Sequence, residues 1–136
     1  MSAVPGICTQ AKLAWLKSME HDDIWIALYT PNANINPHTA VYTPDGEVTG
    51  MGYERGGARM EGIAFGVTGS RAWIDWSVDP KWEVASISAD AAMIYNKTRN
   101  NLALCVLAFG ELITSKNGPW WLELSPPGDT ATIRWA

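Results

Sequence analysis

Apolar positions along this chain fall into short runs broken by turn-forming residues, and only the first stretch has a helical rhythm. From Gln10 to about His21 there is no Gly or Pro, and Ala11, Trp15 and Met19 recur at a spacing of four. Leu13 and Leu16 widen that stripe. The pattern predicts one helix over residues 9–21, with Thr9 as its N-cap and the stripe turned toward a sheet or a neighbouring subunit.

Beyond Asp23 the rhythm changes to strands. Ile24 to Tyr29 is a compact apolar run closed by Pro31 and Asn32, and Thr39 to Thr43 alternates up to the turn Pro44-Asp45-Gly46. Glu47-Val48-Thr49 follows, then a glycine-rich stretch with Gly50, Gly52, Gly56 and Gly57. Residues 58–65 and 71–76 flank Gly66 to Ser70 and read as a hairpin. Trp82 to Ser88, Ala91 to Tyr95, Leu102 to Phe109, Trp120 to Leu124 and Thr130 to Trp135 supply further strands. Asn96 to Asn101 and Pro126-Pro127-Gly128-Asp129 form turn-rich connections. About nine short strands at roughly 8–12-residue spacing, behind one N-terminal helix, predict an all-β jelly roll or β-sandwich. One domain over residues 1–136 is expected, with the β fold in 24–136.

Composition narrows the function. Charged residues make up 18% of the 136 residues, below the ~25% usual for soluble domains, which leaves more surface that a partner can cover. The net charge is −4 and the ten basic residues are scattered, so nucleic-acid binding is not expected. No run reaches the ~20 apolar residues of a membrane helix. The opening MSAVPGICTQ lacks a basic region followed by an apolar stretch, so no signal peptide is expected. Cys8 and Cys105 read as free thiols. Eight tryptophans are the anomaly: Trp15, Trp25, Trp73, Trp76, Trp82, Trp120, Trp121 and Trp135. Most of them belong in a core, but eight would crowd one small core, so some are expected to face partners.

Reactive chemistry has little purchase. His21 reads as a helix C-terminal residue and His38 as a loop residue, and no second His or Cys stands at metal-ligand spacing. Asp75 and Asp79 beside Trp73, Trp76 and Trp82 could be drawn as a glycosidase cleft. The plainer reading has Asp75 facing water and Asp79-Pro80 opening a turn. There is no G-x-S-x-G elbow and no phosphate loop, and the paired glycines do not lead from a strand into a helix. Asn96-Lys97-Thr98 matches a glycosylation sequon but reads only as a polar loop. Neither catalysis nor a cofactor or metal is expected.

An ordered set of segments carries a resemblance. Ala27-Leu28-Tyr29 is followed by Gly46-Glu47-Val48-Thr49-Gly50-Met51-Gly52-Tyr53 and Gly56-Gly57, then by Asp75, Asp79-Pro80 and Trp82. Ala92-Met93-Ile94-Tyr95-Asn96, Asn101-Leu102-Ala103, Phe109-Gly110 and Ile133-Arg134-x-Ala136 complete it. This series resembles a family of small tailed-phage virion structural proteins, over roughly residues 24–136, that includes jelly-roll capsid cement (decoration) proteins. Ala108 stands where Asp often precedes Phe-Gly in that family, and Trp120-Trp121 replace smaller residues. The resemblance implies a homo-oligomer, as a dimer, on the outer surface of the capsid after synthesis in a bacterial cytoplasm. The implied partner is the major capsid protein, whose neighbouring capsomeres it would clamp. Trp15, Trp120, Trp121 and Trp135 are the expected contact residues, each of them equally open to a core role. A carbohydrate-binding jelly roll, with exposed Trp faces stacking on sugar rings, and a tail or head–tail joining protein are the alternatives.

Overall fold

The computed structural model describes residues 3–124 and 132–135, the side chain of Trp135 excepted. The class is all-β, and the described residues form three antiparallel sheets and one short α-helix. Among the described residues there are nine strands. They divide between two compact units assembled from alternating stretches of chain.

The first unit contains helix α1 (Thr9–Lys17) and the strands β3 (Glu61–Thr68), β4 (Arg71–Val78) and β9 (Ile133–Trp135). Strand β4 is central, paired with β3 through the tight turn at Gly69 and Ser70 and with β9 on its other edge. Gly66 lies directly under the Trp73 indole across the strand pair, where a Cβ would overlap the ring. Helix α1 is shorter than expected and turned differently. Cys8, not Thr9, is the N-cap, and it makes no side-chain capping bond. Thr9 is already helical and reaches the Ser70 carbonyl at 3.5 Å. After Lys17 the backbone tightens to three-residue bonds, Met19 N–H to Leu16 O and Glu20 N–H to Lys17 O. The Ser18 hydroxyl there donates to the Trp15 carbonyl at 2.6 Å, a local competitor for helical bonding. His21 therefore lies past the helix end, 3.8 Å from the Glu20 carboxylate.

The buried stripe of this segment is Lys12, Leu16 and Met19, while Trp15 is 53% exposed. Lys12 can face inward because its aliphatic stem covers apolar surface and its ammonium reaches the Ser70 carbonyl at 3.3 Å.

The second unit contains β1 (Ile24–Tyr29), β2 (Ala58–Arg59), β5 (Lys81–Ala85), β6 (Ser88–Asn96), β7 (Leu102–Thr114) and β8 (Gly118–Trp121). Its main sheet runs β2-β1-β6-β7, and β5 pairs with β8 in a separate two-stranded sheet. Strands β1 and β6 are nearly continuous apolar runs, and Ile26, Ala27, Leu28, Tyr29, Ala92, Met93 and Ile94 are all fully buried. The polar link between β6 and β7 is a single 3-10 turn, Lys97–Arg99, capped by the Asn96 side chain on the Thr98 and Arg99 amides. Asn100 and Asn101 then take left-handed conformations that return the chain. Asn96 itself is fully buried and donates to Asp22.

Two predicted strands shrink to single bridges, Val41 with Leu102 and Glu47 with Tyr29. The stretch 30–57 instead lies on the sheet as an irregular layer, and glycine makes that close approach possible. Gly57 has φ +86, and a Cβ there would overlap the Ile26 carbonyl of β1. Replacing Gly57 with Ala is expected to cost more than about 3 kcal/mol, because a strained φ and a backbone clash act together. At the Gly69 turn, with φ +61 and nothing within 4 Å, the same change should cost only about 1 kcal/mol. Urea unfolding midpoints of the two variants measure the contrast.

Candidate functional site

All four tyrosines of the chain, Tyr29, Tyr42, Tyr53 and Tyr95, gather in the second unit around one carboxylate. The Glu47 side chain is wholly buried. Its Oε1 accepts from the Tyr42 hydroxyl at 2.5 Å and its Oε2 from the Tyr53 hydroxyl at 2.5 Å and the Gly56 amide at 2.8 Å. Arg55 stands 3.9 Å from Oε1. Tyr95 donates to the Gly56 carbonyl at 2.6 Å and stacks on Tyr42 with ring centroids 4.7 Å apart. Tyr29 donates to the Thr43 carbonyl at 2.7 Å, and the Tyr53 oxygen also accepts the Leu28 amide at 2.9 Å. A buried carboxylate is stable only when its oxygens are bonded, and three donors do that here. The segment Gly46 to Gly57 supplies the carboxylate, the Tyr53 phenol and the Gly56 amide of this clamp. With two phenols spent on the Glu47 carboxylate and two on backbone carbonyls, the cluster has the build of a structural lock.

The tryptophans sort into three groups. Trp76, Trp82 and Trp120 are buried. Trp120 was an expected contact residue, and the structure corrects this: it is 2% exposed, packs edge-on against Trp82 at 5.7 Å and near Phe109 at 6.0 Å, and donates its indole N–H to the Ile113 carbonyl. Trp25 and Trp73 are half-buried and engaged. Lys97 lies 3.4 Å above the Trp25 ring, whose N–H bonds Asp23, and the Trp73 N–H bonds Thr68. Trp15 on α1 and Trp121 on β8 are exposed at 53% and 55%. The Trp135 side chain lies outside the described residues.

Asp75 is corrected as well. It does not face water but is fully buried in the first unit. Its Oδ1 accepts from the Trp76 amide at 2.9 Å and the Thr132 hydroxyl at 2.7 Å, and its Oδ2 has no partner among the described residues. Asp79 belongs to the second unit, where it lines an open cavity with Lys81 and Trp121. The imagined Asp75/Asp79 pair therefore has one member enclosed and bonded to its own fold. Pairing Asp79 with Asp75 hid its cavity, and the neighbours that mattered, Lys81 and Trp121, lie two and forty-two positions away in sequence.

His38 sits in an exposed loop whose backbone amide bonds Asn36. Cys8 and Cys105 are free thiols, and burial pushes the Cys105 thiol up to about 12. Among the described residues no group of three His, Cys, Asp or Glu could hold a metal ion. No described helix is long and apolar enough to cross a membrane.

The tyrosine cluster sets a pH limit. Burial first, and then the nearby Glu47 carboxylate, push all four phenols above the ordinary tyrosine value, Tyr95 to about 12 and the others further. Each phenol thus holds its proton more tightly folded than unfolded. Below about pH 10 both states are neutral and the fold keeps its full stability. Above it the unfolded chain loses protons first, and stability falls by about 1.4 kcal/mol per pH unit for each buried phenol. The half-buried Tyr42 contributes less. Tyrosinate absorbance and far-UV circular dichroism should therefore change together in one steep alkaline transition. A gradual tyrosinate signal near pH 10 with the fold intact would contradict the clamp.

Trp120→Ala should cost about 3–5 kcal/mol in chemical denaturation, whereas Trp121→Ala should leave stability within about 0.5 kcal/mol. Comparison of the chain with family models, curated proteins and solved structures gives no match.

Proposed function

We propose that this protein is a virion structural protein of a tailed phage. In this reading it is a capsid decoration, or cement, protein that binds the outside of the major capsid protein shell and clamps neighbouring capsomeres. The observation that carries the reading is the surface of the N-terminal segment. Val4, Ile7 and Trp15 are exposed at 88%, 53% and 53%, so residues 4–15 show three large apolar side chains to solvent. A contiguous exposed apolar patch marks a contact surface, these three side chains are the ones proposed to form it, and a Trp at the centre of such a contact supplies much of its energy. The resemblance supports the same partner, and its densest segment is the stretch that Glu47 organises.

The mechanism is linkage without chemistry. A ligand that binds the assembled shell and not its loose subunits stabilises the shell by mass action, by about 2.7 kcal/mol at a hundredfold excess over Kd. As a homodimer the protein would hold two capsomeres, and the first contact would raise the effective concentration for the second. A specific contact needs roughly 800 Å² per partner, and a domain of this size can present that area on one side.

Co-sedimentation with capsids that lack the protein tests this. The wild type should pellet with the shell and raise its melting temperature. Trp15→Ala should fold normally, since its side chain is more than half exposed, and lose occupancy by at least about tenfold, the scale of an interface anchor. Failure of the folded wild type to bind any shell, or undiminished occupancy of Trp15→Ala, would count against the reading.

A further inference from the structure

The second unit has an open cavity where β5 passes into β6 and β7 ends. Its volume is about 370 Å³, within the roughly 300–1,000 Å³ of small-ligand sites. Hydroxyl side chains, one lysine and a single apolar residue, Ile87, line it. Stretches distant in sequence are bonded together to make these walls. Ser86 N–H donates to the Met51 carbonyl at 2.9 Å, and a Cβ on Gly50 would lie 2.4 Å from the Ser86 carbonyl oxygen, so Thr49 is held beside Ser86. Ser115 N–H donates to the Ile87 carbonyl at 2.9 Å, and Asn117 N–H to the Ser86 hydroxyl at 3.0 Å, which fixes the backbone on both sides of Lys116. The walls are set before any ligand arrives.

What the cavity offers a ligand is decided by the bonds its own side chains have not used. The Ser115 and Thr30 hydroxyls donate to the Ala85 and Gly46 carbonyls. Ser88 and Thr114 share one bond at 2.8 Å, so one of their two protons stays unspent. The Ser86 oxygen accepts from Asn117, and its own proton has no acceptor among the described residues. The Thr49 hydroxyl and the Lys116 ammonium have no partner among the described residues. No described Asp or Glu lines the cavity. Three hydroxyl protons and an ammonium without a counter-charge thus belong to one space.

That combination selects an oxyanion. A lysine donates and never accepts, so a cationic ligand gains nothing here. An apolar ligand would meet Ile87 alone and cover hydroxyls without bonding them. A carboxylate is planar, whereas donors on three separate stretches surround a volume, as the three terminal oxygens of a phosphate monoester fill one. Lysine, serine and threonine are among the usual partners of phosphate oxygens. The other basic residues are scattered along the chain, which suits a single phosphate group and not a polynucleotide backbone.

We infer that this cavity binds one phosphate group, free or as the monoester of a small polyol. Lys116 supplies the charge, and Thr49, Ser86 and the Ser88–Thr114 pair donate to the phosphate oxygens. The inference does not rest on capsid binding, which is assigned to Trp15.

An amide NMR titration of the intact chain tests it, with inorganic phosphate and glycerol phosphate as probes. Salt at about 0.15 M confines the measurement to short-range contacts, since charges are then screened over ~8 Å. The amides of Thr49, Ser86 and Lys116 should shift together, with Kd on the order of 1 mM, as befits one small contact. Lys116→Gln should weaken binding at least about tenfold, the scale of a hydrogen bond to a charged group. Thr49→Val, which keeps the shape and loses the hydroxyl, should weaken it about fivefold. Both side chains are exposed, so both variants should keep the native circular dichroism. Lys17→Gln, at an exposed lysine of the first unit, should bind phosphate as the wild type does. Tighter binding of glycerol phosphate points to an ester as the natural source and tighter binding of inorganic phosphate to the free ion, and either order supports the inference. In the capsid assay Lys116→Gln should retain full occupancy, which separates this site from the capsid reading. The inference is overturned if neither probe shifts these amides, if Lys116→Gln binds phosphate undiminished, or if acetate or glycerol binds as tightly as phosphate.

Discussion

The burial of one carboxylate organises the second unit. The Glu47 side chain is wholly buried, and taking an ionised group out of water costs several kcal/mol unless its oxygens are bonded. Here the bonds come from Tyr42, Tyr53 and the Gly56 amide. Each donor is itself held: Tyr42 by stacking on Tyr95, Tyr53 by the Leu28 amide, and Gly56 by Tyr95 through its carbonyl. Removing any member leaves a buried polar group unsatisfied, so the cluster works as a unit. Its product is the ordering of the stretch 30–57, which has too few ladder bonds to hold itself. A long connection without its own strands is uncommon in a compact domain unless something specific fixes it. The carboxylate and the glycines that let backbone meet backbone are what fix this one.

Where the sequence carried a strong local signal, the structure followed it. Ile24 to Tyr29 was legible to the residue as a strand because an unbroken apolar run between turn formers has few other uses. The hairpin around Gly69 was legible for the complementary reason, a glycine where φ is positive. Signals failed where the deciding partner was remote. Thr39 to Thr43 alternates like a strand, yet only Val41 forms a bridge, because the neighbouring backbone is spoken for by side-chain bonds such as Tyr29 to the Thr43 carbonyl. The helix buries Lys12, Leu16 and Met19 in place of the Ala11–Trp15–Met19 stripe, because the aliphatic stem of Lys12 covers apolar surface while its ammonium reaches the Ser70 carbonyl. Asp75 looks from the sequence like a residue facing water, and no local pattern tells a solvated strand carboxylate from one bonded to Thr132, fifty-seven positions away.

The contact residues show the same limit in miniature. Trp120 and Trp121 are adjacent and chemically identical, and composition treats them alike. On a strand they must point to opposite faces, so one becomes core and the other surface, and only the register with β5 decides which. Trp15 and Trp121 are then equally exposed, but their settings differ. Trp15 shares its segment with Val4 and Ile7, whereas Trp121 shares a cavity with Asp79 and Lys81. An apolar setting favours a surface that partners dry out, and a charged one resists that drying. Exposure alone ranks the two together; surroundings separate them.

The exposed Trp121 also depends on the buried carboxylate, by a route that passes entirely through packed rings. Two-stranded sheets are marginal on their own in water, so β5 and β8 need backing. Trp82 and Trp120 supply it from the inner face, with Phe109 against Trp120 and Tyr53 at 5.8 Å from Trp82. Tyr53 is the ring whose hydroxyl Glu47 holds. The carboxylate fixes Tyr53, Tyr53 bounds the space Trp82 fills, and the Trp82–Trp120 pair sets the plane of the sheet from which Trp121 projects. A side chain on such a sheet has little freedom left to lose in any later contact. The buried charge therefore acts on the surface through geometry, and its cost in desolvation is offset by order it confers well beyond its own bonds.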